Sequence, residues 1–191
     1  MKTVKIIVGV IVAITVILVL AIANYGGFTK VNVQIKEEGG EKLVYERFLG
    51  SYSKTGDVAQ KLQYQLEKEN VETFRGFGIY YDNPRFVKKD SLHSDIGCIL
   101  ENADTCRIYW LKGKFNIKTC PVKKYITAEF PFKGKMSIMV GVLKVYPALT
   151  KFVKDNNLDE KGPIMEIYDM PNHKILYRKE AVKKQSQLIH I

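Results

Sequence analysis

The chain has 191 residues and a mass of 21.9 kDa, with 30 basic and 20 acidic side chains, 46% apolar residues and three cysteines. This length and composition allow one membrane segment followed by one domain of ordinary size. They exclude a wholly disordered chain, a transporter with many spans and a small disulfide-stapled fold, because each of these needs a different apolar or cysteine content.

The amino-terminal segment is the most apolar part of the chain. No charged residue occurs between Lys5 and Lys30, and 16 of the 18 residues from Ile6 to Ala23 are apolar. At about 1.5 Å per residue, a helix of this length crosses a bilayer core of roughly 30 Å. We therefore predict a retained transmembrane helix, a signal anchor, over residues 6–27. The alternative is a cleaved signal peptide, because an A-x-A sequence closes the apolar run.

The charges around this segment leave its orientation open. Lys2 and Lys5, in the short basic amino-terminus of residues 1–5, weakly favour a cytoplasmic amino-terminus with the domain outside the cytoplasm. Lys30 and Lys36 on the other flank oppose that rule. We expect a single-pass membrane protein whose domain could lie on either side.

The residues between this segment and Leu100 alternate between strand and helix patterns. The predicted strands are 31–35, 43–48, 74–81 and 94–100. Gly39 and Gly40 predict that the first two strands form a hairpin. Asp57 is the predicted N-cap of a helix whose apolar spacing continues to Leu66.

The second half of the chain repeats this order. Its predicted strands are 107–117, 125–130, 164–169 and 175–178. A helix is predicted over 137–153, with a kink or a fresh start at Pro147, because proline removes a backbone hydrogen bond. The turn sequence that begins at Tyr81, Y-D-N-P, returns 87 residues later as Y-D-M-P from Tyr168.

The repeat predicts an α+β domain of two β-α-β-β units. One mostly antiparallel sheet would carry two helices on one face and leave the opposite face free for a ligand. We expect this domain over residues 28–182, followed by a short basic tail over residues 183–191.

The cysteines and histidines show no metal-binding spacing, so we expect neither a structural metal nor a cofactor. Cys98, Cys106 and Cys120 fit either one disulfide with a free thiol or three buried thiols. The basic residues form dipeptides, which indicate a solvated surface compatible with anionic lipid near the anchor rather than a nucleic-acid site. P-loop, G-x-S-x-G and H-E-x-x-H patterns do not occur.

Several motifs carry a resemblance to a known family. Residues 48–52 with the helix after them, and residues 163–168, resemble the gyrase-inhibitor-like (GyrI-like) effector-binding domain, which is also found in AraC-type and MerR-type regulators. Residues 79–84, 125–131 and 145–149 are similar to a membrane-anchored animal branch of that family. The resemblance covers nearly all of residues 29–181 and implies a GyrI-like fold.

The resemblance singles out Glu166 in the sequence P-x-x-E-x-Y. In the family this glutamate lies in the ligand cleft, where it binds lipophilic cations in some members and is implicated in cyclopropane hydrolysis in others. It implies that Glu166 is a cation partner or a general base. Strand alternation puts Ile164, Glu166 and Tyr168 on one face, and a buried carboxylate there would need a partner. The alternative is a partly exposed glutamate paired with a lysine.

Four aromatic residues are predicted to line the cleft and stack on a cation: Tyr52, Tyr81, Trp110 and Tyr168. Core packing is the alternative for each of them, since the chain has 11 Tyr and 9 Phe. Tyr168 is the strongest candidate because it shares the strand face of Glu166.

The predicted function is membrane-anchored binding of a small apolar or cationic molecule. The alternatives are a cyclopropane-ring hydrolase that uses Glu166 and a membrane-tethered adaptor with a protein partner. Residues 183–191 lack the acidic and aromatic residues of the autophagy-binding tail in the animal branch, so we do not expect a receptor role in autophagy. Only seven residues separate Ala23 from Val31, so we expect no helix-turn-helix domain there.

Overall fold

The computed structural model of the protein describes residues 2–101 and 104–184, so most of the predicted tail over 183–191 lies outside the described residues. The helices are α1 Lys2–Asn24, α2 Thr55–Lys68, α3 Thr105–Lys112 and α4 Lys135–Asp155. The strands are β1 Val33–Glu38, β2 Lys42–Leu49, β3 Arg75–Tyr80, β4 His93–Leu100, β5 Asn116–Thr119, β6 Lys123–Pro131, β7 Ile164–Asp169 and β8 Lys174–Glu180.

Within the described residues, the strands form one antiparallel sheet in the order β1-β6-β8-β7-β3-β4-β2-β5. This confirms the predicted α+β architecture. If β1 to β4 are relabelled β5 to β8 and the reverse, and the sheet is then read from its other edge, the same strand order results. The two halves are therefore related by a pseudo-two-fold axis between β3 and β7, and each half contributes its first strand to the other half's edge.

The predicted hairpin between the first two strands is wrong. β1 pairs with β6, whereas β2 pairs with β4 and β5 at the other end of the sheet. Gly39 and Gly40 have φ angles of 119° and 92°, and a Cβ on Gly39 would lie 2.2 Å from the carbonyl oxygen of Pro121. These glycines are required for a crossing between two sheet edges, which local sequence does not distinguish from a hairpin turn.

The segment predicted as one strand over 107–117 is α3 followed by β5. The Asp104 carboxylate caps α3 by accepting a hydrogen bond from the backbone N–H of Arg107 at 2.7 Å. The predicted N-cap role of Asp57 is also wrong, because Lys54 holds the cap position of α2 and Asp57 lies in the first turn. α4 continues through Pro147 as one helix, so no fresh start occurs there.

Helices α2 and α4 pack side by side on the same face of the sheet, as predicted. Leu62 and Leu66 of α2 cover Val44 on β2, while Val145 and Leu149 of α4 belong to the core over β6 and β8. Each helix covers its own half of the sheet, so the central strands β3 and β7 lie beneath the groove between them.

The opposite face of the sheet is buried, so the expectation that it is free for a ligand is wrong. Leu43 on β2 and Tyr125 on β6 belong to one buried cluster although four strands separate them, which requires the sheet to curl. Arg178 on this face is 5% exposed and forms ion pairs of 2.7 Å with Glu38 and Glu41. Glu166 projects from the other face of the sheet, which carries α2 and α4.

Helix α1 is exposed throughout its described side chains. It and α4 are both long and apolar enough to cross a membrane, but α4 is the core helix packed on the sheet. α1 is thus a candidate membrane span, although an amino-terminal signal sequence can also be a long apolar helix.

Candidate functional site

Glu166 lies on β7 at the centre of the sheet, on the face that carries α2 and α4. It is directly opposite Gly78 on β3 and Tyr177 on β8, so all three residues share that face. The Glu166 side chain is only 2% exposed. In the described part of the chain, no lysine or arginine nitrogen forms an ion pair with it. The exposed, lysine-paired alternative therefore does not describe this side chain.

Two tyrosine hydroxyls hold the Glu166 carboxylate. Tyr146 of α4 donates to Oε1 at 2.8 Å, and Tyr168 of β7 donates to Oε2 at 2.6 Å. Tyr168 reaches Glu166 because the two residues are separated by one position and project from the same strand face. The carboxylate is thus hydrogen-bonded from both the sheet and the helix that flanks it.

Burial controls the protonation of this cluster. It raises the pKa of Glu166, and the hydrogen bonds from Tyr168 and Tyr146 partly oppose that rise because they stabilise the carboxylate. Burial also raises the pKa of Tyr80 to about 12, and the charge of Glu166 adds to the rise. The surrounding phenols therefore stay neutral and can act as hydrogen-bond donors.

A second layer of hydroxyls continues from Tyr168 towards α2. The Tyr80 hydroxyl lies 3.5 Å from Thr55 Oγ1 at the start of α2, and Tyr80 is close enough to Tyr168 to contribute to the raised pKa of the Tyr168 phenol. The Tyr52 ring meets the Tyr80 ring edge-on, with centroids 4.8 Å apart. Tyr52 is fixed in turn by a hydrogen bond of 3.0 Å from its hydroxyl to the carbonyl oxygen of His93.

The structure brings three of the predicted site residues together: Glu166, Tyr168 and, through Tyr80, Tyr52. Tyr81 is not among them, because it follows the last residue of β3 and its hydroxyl donates to Asp95, which pairs with Ile79, at 2.7 Å. Asp95 also pairs with Lys118. Tyr81 is therefore part of an ion-pair cluster rather than the Glu166 site.

Trp110 also lies away from Glu166. It is on α3, at the β5 end of the sheet, where its ring centroid lies 4.8 Å from the Arg107 guanidinium and 4.0 Å from the Lys114 ammonium. These cations are the protein's own side chains, so the contacts do not bear on the predicted stacking of Trp110 on a ligand cation. The wrong strand assignment for residues 107–117 is the reason for its misplacement.

Sequence reasoning missed Tyr80, Tyr146 and Tyr177. The internal alignment on Y-D-x-P placed Ile79 over Glu166, but Ile79 pairs with Met165 on the other face. A shift of one residue exchanges the two faces of a strand. Gly78 pairs with Glu166, and Tyr80 is two residues further along β3, so Tyr80 shares the Glu166 face. The tyrosine next to Tyr81 in sequence was therefore the residue to select.

Tyr177 of β8 packs beneath α4 in the core cluster of that helix. It is fully buried, its ring meets the Tyr146 ring edge-on at 6.1 Å, and its hydroxyl has no hydrogen-bond partner among the described residues. Gly141 of α4 makes this position possible, since a Cβ there would lie 2.4 Å from the Tyr177 hydroxyl oxygen.

Neither cysteine alternative describes the structure fully, because the described residues contain three free thiols of which two are buried. Cys98 and Cys120 are buried, Cys106 is exposed, and all three are free within the described ranges. Burial raises the pKa of the Cys98 and Cys120 thiols. Among the residues placed by the structure, no group of three or more His, Cys, Asp or Glu side chains could hold a metal ion.

Two surface cavities lie away from the carboxylate. One of about 380 Å³ lies between Tyr45 and the turn from α3 to β5, and one of about 290 Å³ lies beside Arg75 and Pro171. The residues around Glu166 that are partly exposed are Tyr80, Tyr146 and Tyr168.

Comparison with known proteins places the site in a family context. The sequence profile described as "GyrI-like small molecule binding domain" matches residues 32–180. Testis-expressed protein 264 of Homo sapiens is 27% identical over 172 residues, which are 84% of this chain and 53% of that protein. Its homolog in Mus musculus is 29% identical over 132 residues, or 66% of this chain and 41% of that one. The chain thus spans about half the length of these curated relatives or less.

Solved structures show the same fold at low identity. EcmrR, in a cryo-EM structure of its DNA complex, has a TM-score of 0.59 and 13% identity, covering 94% of this chain and 70% of that one. SAV2435 bound to tetraphenylphosphonium has a TM-score of 0.54 and 12% identity, covering 83% and 98% of the two chains. At these identities the similarity establishes the fold alone.

Proposed function

The chain belongs to the GyrI-like family of small-molecule-binding domains, and from this premise we propose that it binds an apolar, cationic small molecule against Glu166 at a membrane. The observation that carries the proposal is the nearly complete burial of the Glu166 carboxylate between two tyrosine hydroxyls. In the proposed organisation, residues 6–27 anchor residues 28–182, which form the binding domain, and residues 183–191 form a basic tail.

A cation is the partner that the chemistry of Glu166 favours. A buried carboxylate loses the hydration that stabilises its charge, at a cost of several kcal/mol, and two phenol donors recover only part of it. A ligand cation placed beside the carboxylate would recover more. The surrounding faces of Tyr80, Tyr146 and Tyr168 would contribute cation–π attraction and apolar contact.

The groove between α2 and α4 is the proposed entrance. Tyr80 approaches Glu166 from the α2 side and Tyr146 from the α4 side, and both side chains are partly exposed. Rotation of either ring would open a path to the carboxylate without moving a strand. An incoming cation would then replace a hydroxyl donor, so the site would stay paired throughout binding.

Tetraphenylphosphonium is the first probe to use. It is a lipophilic cation with four aromatic rings, and SAV2435, which shares the fold, is described as bound to it. Because its quaternary phosphorus carries no hydrogen and cannot donate a hydrogen bond, its binding would isolate the charge and stacking contributions of the site. This separates the proposal from simple hydrogen-bond recognition.

The test is equilibrium dialysis of tetraphenylphosphonium against the full chain in lipid nanodiscs, with empty nanodiscs as the blank. We expect the wild type to bind, and Glu166→Gln to bind at least about tenfold more weakly, which corresponds to about 1.4 kcal/mol. Glu129→Gln is the matched control, because Glu129 is an exposed carboxylate that pairs with Lys36 and Lys174. Equal binding by all three proteins would overturn the proposed role of Glu166.

Catalysis is the second candidate, and the raised pKa of Glu166 is the observation that favours it. A carboxyl group with an elevated pKa is better matched to proton transfer near neutral pH than an ordinary glutamate. The resemblance to cyclopropane hydrolases makes a strained cyclopropane the substrate to try. Product formation that is lost in Glu166→Gln and kept in Glu129→Gln would establish turnover. If the chain shows no binding and no turnover, the adaptor alternative is favoured.

A further inference from the structure

The exposed side of α4 changes character along the helix. Its amino-terminal half exposes a run of apolar side chains, here named the α4 apolar patch: Met136, Met139, Val142 and Leu143. Leu143 is 73% exposed. Beyond Pro147 the same side carries Thr150 and Lys154. An amphipathic core helix normally turns polar residues to water along its whole length, so the patch needs a partner.

The patch lies beside the end of α1. The Lys144 ammonium donates hydrogen bonds to the carbonyl oxygens of Gly27 at 2.5 Å and Thr29 at 2.6 Å. Gly26 fits against the sheet so closely that a Cβ would lie 2.8 Å from the Phe130 ring. The chain that leaves α1 is therefore held against α4, and Phe28 between these contacts is 72% exposed.

The charged residues that flank the patch in sequence, and those before Glu37, are basic. The first acidic residue of the chain is Glu37, and α4 has none before Asp155. Lys30, Lys133 and Lys135 are exposed at the edges of the patch. Apolar side chains rimmed by lysines are typical of segments that enter the interface of a membrane with anionic lipids.

We propose that the α4 apolar patch and Phe28 dock into the surface of the bilayer that α1 anchors, with the flanking lysines at the lipid phosphates. The inference rests on α1 as a membrane anchor and does not depend on Glu166. A second copy of the chain is the competing partner for an apolar patch. The bilayer is favoured because the contacts of Lys144 keep the patch next to the end of α1, where lipid is always within reach.

Docking would also orient the groove. The patch and Tyr146 are on the same helix, so a domain lying on α4 would present the entrance between α2 and α4 close to the lipid. An apolar cation partitioned into the interface could then reach Glu166 without crossing bulk water.

Tryptophan quenching in vesicles tests the docking with the full chain. In a Trp110→Phe background, which removes the native tryptophan, Leu143→Trp reports the patch and Lys154→Trp is the control. Lys154 lies 11 residues further on the same side of α4, about 16 Å along its axis. The wild-type chain, with Trp110 on α3 at the far end of the sheet, is the second control. The vesicles contain phosphatidylcholine and phosphatidylserine, with or without bromine on the acyl chains near the headgroup.

We expect brominated lipid to reduce the emission of the Leu143→Trp protein by about half or more and to leave both controls within about a tenth of their values. Equal, weak quenching at all three positions would overturn the proposal. So would a blue shift at Leu143→Trp that grows with the protein-to-lipid ratio without quenching, which would identify a second copy as the partner. Failure of the chain to float with the vesicles would overturn it by removing the anchor. Tetraphenylphosphonium binding is measured on the same samples, so failure of docking and failure of the Glu166 site are distinguishable.

Discussion

Gly78 lies directly opposite Glu166 across the β3–β7 ladder, and its missing side chain makes room for the Tyr80 phenol. A Cβ on Gly78 would lie 2.7 Å from the Tyr80 hydroxyl oxygen. The two halves of the domain thus contribute unlike residues at the axis that relates them. One half provides the charge, and the other provides the space that the surrounding phenols occupy.

The first prediction concerns this space. Gly78→Ala should displace the Tyr80 hydroxyl from Tyr168 and weaken tetraphenylphosphonium binding by about fivefold or more, an effect of roughly 1 kcal/mol. Gly76→Ala is the matched control, because its Cβ would meet only the Gly97 carbonyl oxygen, at 3.7 Å. Dialysis in nanodiscs measures both variants. Equal weakening by both would show that the effect comes from the strand and not from Tyr80.

The second prediction concerns pH. Because the pKa of Glu166 is higher in the folded chain than in the unfolded chain, the folded state holds an extra proton between those two values. Stability should therefore fall as pH rises from the ordinary pKa of a glutamate to the raised one. Glu166→Gln, which cannot ionise, should lack this fall.

Thermal unfolding over a pH series measures the difference between the two proteins. Glu166→Gln should gain in stability relative to wild type as pH rises through that window, and the gap should become constant above it. Glu129→Gln again serves as the control for a surface carboxylate. The raised pKa is contradicted if the stability of Glu166→Gln minus that of the wild type stays constant across the series, or falls with rising pH.

The third prediction concerns the contact between α4 and β8. Gly141→Ala should destabilise the fold by about 1–3 kcal/mol, because its Cβ would overlap the Tyr177 hydroxyl. Tyr177→Phe in the same chain should restore part of that loss. Gly56→Ala in α2 is the control, since it meets nothing within 4 Å and should gain up to about 1 kcal/mol from helix propensity. Denaturant titration that finds Gly141→Ala as harmless as Gly56→Ala would refute the close packing.

The fourth prediction concerns the buried ion pairs on the curled face. Arg178→Met should cost about 3–5 kcal/mol, since it leaves the carboxylates of Glu38 and Glu41 without their cation. Lys123→Met removes the ion pair with Glu180, in which both side chains are well exposed, and should cost at most about 1 kcal/mol. Chemical unfolding of the two variants side by side measures the contrast. Similar losses would mean that the Arg178 pairs are no stronger than a surface pair.

Local patterns predicted the parts of the fold whose partners are near or whose faces differ strongly. Strand β7 has the predicted bounds, and Glu166 with Tyr168 shares one face, because alternation in a strand is a local property. The pairing of β1 with β6 joins residues about 90 positions apart in sequence. Nothing in the composition of either strand specifies that partner, so the two glycines between β1 and β2 indicated a hairpin instead.

The candidate site was predicted in part for the same reason. Glu166 came from a motif, but its ring of phenols depends on register, and a slip of one residue selected Tyr81 in place of Tyr80. Tyr146 was not identified because its role depends on how α4 lies on the sheet. Trp110 was misplaced because a short helix and a strand both fit the apolar spacing around it.

The exchange of first strands between the halves also constrains how the chain matures. β1 follows α1 after only a few residues, yet its partner β6 is made about 90 residues later. If α1 enters a membrane as it leaves the ribosome, β1 must wait at the lipid surface, unpaired, until most of the domain has been synthesised. Long-range pairing of this kind is slow, and an open strand is a template for aggregation. A chain truncated before residue 123 would therefore remain anchored with β1 unpaired, and this aggregation-prone form is the one we expect cellular quality control to recognise.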